Sequence, residues 1–329
     1  MKPAATTFSF TNEWLARKFT LEELLARFAE LDLGPGLELI GFQSWRTFPA
    51  LEAEEVLAFR RLVEALALEP AALGAYADLA RRPDRLMTTD EAVEFLSPQI
   101  DAAEALGFPL LRLHASIPIE VLERLTPVAE RAGVTLATEV QGAQTPDDPP
   151  IAALLESRER LESPYLALAL DFSVAMSGVP ASFVDSVCRL GIARDDLDAV
   201  IAVWAQGGPT HEVLAAIGKL DAPAVALDEA RAGFFRFGRQ DPRAWAPFIP
   251  QIAYAHAKFW ELDETGNDPA VRTGELIDVL RDGGYAGFVC SEWGGNAWMD
   301  VDDVDAFELT RRHHALCCSL ISKPVEVPA

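Results

Sequence analysis

Cysteine is scarce in this chain, with only Cys188, Cys290, Cys317 and Cys318 in 329 residues. No C-x-x-C pair occurs, and the adjacent Cys317-Cys318 has no zinc-site spacing. A disulfide framework and a structural zinc site are therefore not expected, and the thiols read as reduced. Histidine is equally sparse, at five, too few for a multi-metal phosphodiester site. No run of eighteen apolar residues appears, so no membrane span is expected. The N-terminal Met1-Lys-Pro-Ala-Ala-Thr-Thr lacks the apolar stretch of a signal peptide, which points to a cytoplasmic protein. Basic residues are outnumbered 28 to 51, giving a net charge of −23. Such a field repels nucleic acid and favours solubility. Neither a GxGxxG nor a GxxxxGK[ST] phosphate loop is present.

What is abundant is apolar sequence in short runs. Half the residues are hydrophobic, and strand-like runs alternate with amphipathic helical segments. The strands read as Thr6–Thr11, Gly36–Gly41, Leu73–Ala77, Pro109–His114, Val134–Glu139, Leu166–Asp171, Ile252–His256 and Phe288–Glu292. Thr20 and Glu23 form a capping box for the first helix, and Gly133 closes the helix from Pro118 to Ala132. The closing helix is expected over Asp302–Ser322. Strict alternation predicts a single (β/α)8 TIM barrel spanning residues 1–329. One interval breaks the rhythm. From Asp171 to His256 is 85 residues, against 32 and 36 for the neighbouring steps, and a βα unit needs about 30. An insertion over about 176–248 follows strand six. It carries the aromatic stretch Phe234-Phe-Arg-Phe237 and is expected to cover the barrel mouth or meet a partner, burying Phe235.

Four of these runs end in a group that can hold a metal: Glu139, Asp171, His256 and Glu292. A polar residue closing a buried strand is costly unless partnered. In a parallel barrel the C-terminal strand ends converge on one mouth. Three carboxylates and an imidazole there predict a divalent ion, Mn²⁺, Mg²⁺ or Co²⁺ before zinc, with Mn²⁺ preferred. Such an ion can polarise a carbonyl and steady an enolate.

Other strand-end residues are candidates for catalysis or substrate binding. Lys258 follows His256 by two residues and falls on the same strand face, where it can hold a substrate oxygen or a developing negative charge. His114 closes strand four and can act as general base. Asn12, Gln43, Trp45, Gln141 and Trp293 follow strand ends, where amide and indole groups suit sugar recognition. His313 and His314, in the last helix, read as surface residues.

With its Glu-Asp-His-Glu set on strands five to eight and the His256-Ala-Lys258 pattern, the chain resembles the xylose-isomerase-like superfamily of sugar isomerases and epimerases along nearly its whole length. It departs from ketose epimerases at Val174, where they carry a histidine three residues after the Asp. The long insertion, Thr11-Asn-Glu-Trp14 and Ser291-Glu-Trp-Gly-Gly295 resemble the α-subunit of bacterial C-glycoside deglycosidases. That resemblance implies metal-dependent cleavage of 3-oxo-glucosyl C-glycosides, a small β-subunit as partner and an oligomeric assembly. A metal-dependent isomerase or epimerase acting on a keto sugar is the alternative.

Overall fold

Each strand of this chain is short and returns through at least one helix, so consecutive strands can pair only in parallel. In the computed structural model, which describes residues 1–323, eight strands do so and close on themselves in chain order. They are β1 (Lys2–Thr6), β2 (Gly36–Ile40), β3 (Glu69–Gly74), β4 (Leu110–His114), β5 (Thr135–Val140), β6 (Leu166–Asp171), β7 (Ile252–Phe259) and β8 (Phe288–Trp293). The last six residues of the expected 1–329 domain lie outside the described residues. Among the described residues no helix is long and apolar enough to cross a membrane.

Alternation along the strands stacks two unlike layers inside the barrel. The lower layer is small and apolar: Ala4, Ala72, Leu110, Ala137, Ala169, Tyr254 and Cys290 share one buried cluster. Space there is tight, because a Cβ on Gly36 would lie 2.5 Å from that of Ala4 and 2.6 Å from the Phe288 ring. Two residues further along five of these strands stand Arg112, Glu139, Asp171, His256 and Glu292, with Glu38 above Gly36 on β2. The same pleat that packs alanine below thus brings charge together above.

Two strands differ from the sequence expectation. β1 ends at Thr6, where Thr6–Thr11 was expected to begin it. The side chain of Thr6 accepts a hydrogen bond from the Phe8 N–H (3.1 Å), and Thr7–Phe10 turns into a 3₁₀ helix. The alternating Phe8 and Phe10 imitate a strand, whereas true β1 offers Ala4 to the barrel interior and Ala5 to the surrounding helices. β3 likewise lies at Glu69–Gly74 and not at Leu73–Ala77. The closing helix is Ala306–Ile321, shorter than Asp302–Ser322, with Asp305 capping the Glu308 N–H. Its His313 and His314 are buried, which corrects their reading as surface residues. Both lie on the face packed against β1 and β8, where His314 contacts the carbonyls of Ala4 and Gly34.

Between β6 and β7 four α-helices occur, Ala181–Leu190, Arg194–Ala205, Thr210–Ile217 and Ala224–Phe235. Their core is aromatic. Phe183 meets Phe234 (ring centroids 5.6 Å), Phe237 (5.0 Å) and Trp298 (5.1 Å). Phe234 and Phe237 are buried, while Phe235 is 54 % exposed in the single chain, the state expected of a side chain that meets a partner.

Candidate metal centre

Glu139, Asp171, His256 and Glu292 come from four adjacent strands and are all buried. Each offers one ligand atom, and these atoms all lie within 4.8 Å of one another. Atoms bonded to one cation at about 2.0–2.6 Å can stand no more than about 5 Å apart. The spacing therefore fits a single ion. Asp171 Oδ2 is buried without a hydrogen-bond partner, and the nearest ammonium, Lys258 Nζ, is 3.9 Å away. Glu292 Oε2 lies 2.7 Å from His256 Nδ1 without an aligned hydrogen bond. Orphaned carboxylate oxygens around one centre are costly in a buried protein and satisfied by a cation.

Without an ion, the cluster balances its charge internally. Burial alone would raise the Glu139 carboxyl, but Arg112 and His256 overcome it and hold it down to about 2. Burial likewise opposes ionisation of Glu292, which His256 and Lys258 nevertheless bring well below the ordinary range. For His256, burial disfavours the cation, yet Glu292, Glu38 and Glu139 raise its pKa far above that of a free imidazole. Asp171 is the exception. Burial, reinforced by Glu292 and Glu139 against the pull of Lys258, pushes it up to about 6.

Two members of this network escaped the sequence reading. Glu38 accepts from Arg112 Nε (2.7 Å) and meets His256 Nε2 (2.6 Å), while an Arg112 terminal nitrogen donates to Glu139 (2.9 Å). A lone charge inside an apolar strand was the available signal: Gly-Leu-Glu-Leu-Ile and Leu-Leu-Arg-Leu-His each carry one.

Above the cluster opens a cavity of about 570 Å³. Lys258 lines it, 2.6 Å from Glu292 and 3.9 Å from Asp171. Burial acts against its charge, but Glu292 and Asp171 raise its pKa and keep it an ammonium. His114 also lines the cavity, with Nδ1 3.0 Å from Ser116 Oγ and 3.2 Å from the Ser116 N. Gln141 is the only one of the five expected substrate-binding residues among those lining this cavity.

The other four are placed elsewhere. Asn12 donates to the Met299 carbonyl (2.6 Å) and Gln43 to Thr11 Oγ1 (3.3 Å). Trp45 packs edge-on against Phe59 outside the barrel, and buried Trp293 donates to the Trp260 carbonyl (2.9 Å). Their amides and indoles tie loops together. The lining instead includes Phe8, Trp260, Asn296 and, from the segment between β6 and β7, Phe235 and Arg236. Gly294 allows the close approach beneath them, since a Cβ there would lie 2.8 Å from both Lys258 Cε and the Trp260 indole nitrogen.

No family model matches the chain. Among solved structures, a D-allulose 3-epimerase from Methylomonas sp. shares the barrel at a TM-score of 0.58, with 13 % identity and coverage of 97 % of this chain and 98 % of that one. Sequence relatives are nearer. The 3'-dehydrocarminate deglycosidase alpha subunit of Microbacterium sp. is 34 % identical over 324 residues, covering 94 % of this chain and 92 % of the relative. The C-glycoside deglycosidase alpha subunit of Arthrobacter globiformis is 36 % identical over 316 residues, covering 91 % and 86 %. Identity of this level along nearly the full length places this eight-stranded barrel in the family of C-glycoside deglycosidase alpha subunits.

Proposed function

We propose that this protein cleaves the carbon–carbon bond between a 3-oxo-glucosyl group and its aglycone, with a divalent ion held by Glu139, Asp171, His256 and Glu292. The carrying observation is the convergence of these four buried groups at one barrel mouth, in a chain whose relatives are named for C-glycoside deglycosidation. A bound ion, Mn²⁺ by preference, would polarise the 3-keto oxygen and so acidify the hydrogen at C2. His114 stands beside Glu139 in the β4–β5 register and is the candidate base. Its Nδ1 accepts the Ser116 N–H (3.2 Å), so the ring must leave that contact, with its proton moving to Nδ1, before Nε2 can take the C2 proton. The C2 electron pair then forms a double bond to C1 as the aglycone carbon leaves with the bonding pair and takes the proton back from the protonated base. Lys258, kept cationic, faces the negative charge that develops during deprotonation. Gln141 and Asn296 offer amides to sugar hydroxyls. Phe8 and Phe235 offer apolar faces to a planar aglycone.

Phe235 and Arg236 support a second inference, that the segment between β6 and β7 walls one side of the mouth. Exposed Phe235 is also a natural landing point for a small partner subunit, as the alpha-subunit names of the relatives suggest. The alternative reaction is isomerisation or epimerisation of a free keto sugar, for which the same ion and base suffice. Buried Val174, occupying the place of the epimerase histidine, disfavours it.

One experiment separates the two. The purified chain, with and without its small partner, is offered a 3-oxo C-glycoside and, separately, free ketoses, before and after chelation. Release of aglycone that stops on chelation and returns with Mn²⁺ is expected. Ketose turnover without aglycone release would move the assignment to the epimerase reading.

A further inference from the structure

His256 uses both of its ring nitrogens. Nδ1 lies 2.6 Å from Glu139 Oε1 and 2.7 Å from Glu292 Oε2, on the side where the four ligand atoms meet. Nε2 faces the opposite way, 2.6 Å from Glu38 Oε2. Glu38 is fully buried, and its other oxygen is occupied by the Arg112 Nε–H at 2.7 Å. An imidazole binds a cation only through a nitrogen lone pair, so the proton must then reside on the other nitrogen. We propose that Glu38 is a positioning residue that holds this proton on His256 Nε2 and thereby presents the Nδ1 lone pair to the divalent ion. The assignment rests on the metal reading above.

A rival reading is that Glu38 belongs to a second metal site, because Glu38, His256 and Cys290 also have ligand atoms within 4.8 Å of one another. Two contacts argue against it. The Arg112 guanidinium already occupies Glu38 and brings positive charge where a second cation would sit. Nε2 could ligate that cation only if the imidazole lost both protons while Nδ1 served the first ion.

Arg112 also makes the test sharp. In Glu38→Gln, the Arg112 Nε–H still demands an acceptor where Oε1 now stands. The amide oxygen must take that position, and the amide NH2 must face His256 Nε2. A donor facing Nε2 drives the imidazole proton to Nδ1, into the seat of the ion. Affinity for Mn²⁺ or Zn²⁺, measured at fixed pH by competition with a chelator, is expected to fall about 10- to 100-fold, the usual cost of losing an outer partner of a metal-bound histidine. Glu38→Asp keeps an acceptor and should retain more affinity than Glu38→Gln. Should either variant fold poorly, the unsubstituted full chain answers the question. With 15N-labelled histidine and bound Zn²⁺, NMR should show His256 protonated at Nε2 and metal-bound at Nδ1. Metal bound through Nε2, two ions per chain, or unchanged affinity in folded Glu38→Gln would each overturn the assignment while leaving the metal centre standing. An unsubstituted chain that takes up no ion would bring down the metal reading and this assignment together.

Discussion

Two groups of buried histidine lie within one barrel and meet opposite fates. At the barrel centre, His256 is enclosed by the carboxylates of Glu38, Glu139 and Glu292. Under the closing helix, His313 stacks on Phe259 with ring centroids 4.1 Å apart, and its Nδ1 contacts the Ser291 hydroxyl. Both side chains are wholly buried. Burial disfavours the cation at both, yet His256 is raised well above the free value, while His313 is pushed down to about 3 by burial and by neighbouring His314. Burial sets the cost of charge, and the neighbours decide whether charge is kept. The first environment gathers ligand atoms at the spacing a cation would need. The second can only pack.

The strongest way to break this contrast is to alter the charge of the centre. Glu292→Gln should abolish turnover with the fold retained by circular dichroism. Its metal affinity should drop by more than the ~10–100-fold cost of an outer-sphere change. Normal activity with metal retained would make Glu292 merely structural.

Next comes the exchange of each histidine for leucine. His256→Leu leaves three carboxylates around an empty place, a loss of about 3–5 kcal/mol of the kind seen when one partner of a buried ion pair is removed. A divalent ion should restore part of the melting temperature. His313→Leu orphans the Ser291 hydroxyl at about 1–3 kcal/mol and should leave metal uptake unchanged. Equal losses, both blind to metal, would erase the distinction.

Acid sharpens it further. His313 has a folded pKa of about 3, below the ordinary imidazole value of 6.5, so the unfolded chain binds the extra proton first. Its contribution to stability should therefore fall as pH drops from about 6.5 towards 3. His256 has the opposite sign. In the metal-free chain its contribution is complete below the unfolded imidazole value and is lost only as pH rises through its elevated folded pKa. Denaturation of metal-free parent and His313→Leu across this acid range should show a shallower acid slope in the variant. The smallest effect is expected at the rim. Phe235→Ser should barely change the melting temperature, but it should weaken aryl C-glycoside or partner binding about 2- to 10-fold, the equivalent of ~0.5–1.5 kcal/mol for one aromatic contact. Unchanged kinetics and unchanged assembly would leave Phe235 without a role at the mouth.

The barrel was legible because most strands declare themselves in apolar runs, and β6 falls at Leu166–Asp171 as read. β1 and β3 were misplaced for one physical reason. β6 also turns alanines inward but alternates them with Leu166, Leu168 and Leu170, whereas Lys-Pro-Ala-Ala-Thr and Glu-Pro-Ala-Ala-Leu-Gly offer almost no large apolar side chain to declare a strand. Glu139, Asp171, His256 and Glu292 could be singled out because they close apolar strands, and the fold gathers them. Glu38 was missed because its meaning lies in partners 74 and 218 residues away. The sugar-binding expectations for Asn12, Gln43, Trp45 and Trp293 rested on sequence position after a strand. Loop geometry turned those groups away, and a cavity wall built partly from Phe235 and Arg236 took their place.

Gly142 adopts a left-handed backbone with φ of 57°, and a Cβ there would lie 2.1 Å from the Phe235 carbonyl oxygen. Ala143 donates its N–H to that same carbonyl at 3.1 Å, and Gly238 donates to the Ser173 carbonyl at 2.8 Å. The end of the helix carrying Phe235 is thus stitched, backbone to backbone, to the loops that follow Glu139 and Asp171. Such a joint makes this side of the mouth a fixed wall and not a swinging door. Any force delivered to Phe235 from outside, by an arriving aglycone or a docking protein, would pass within three residues of two carboxylates at the centre. What lands on the rim would therefore press on the loops that follow Glu139 and Asp171.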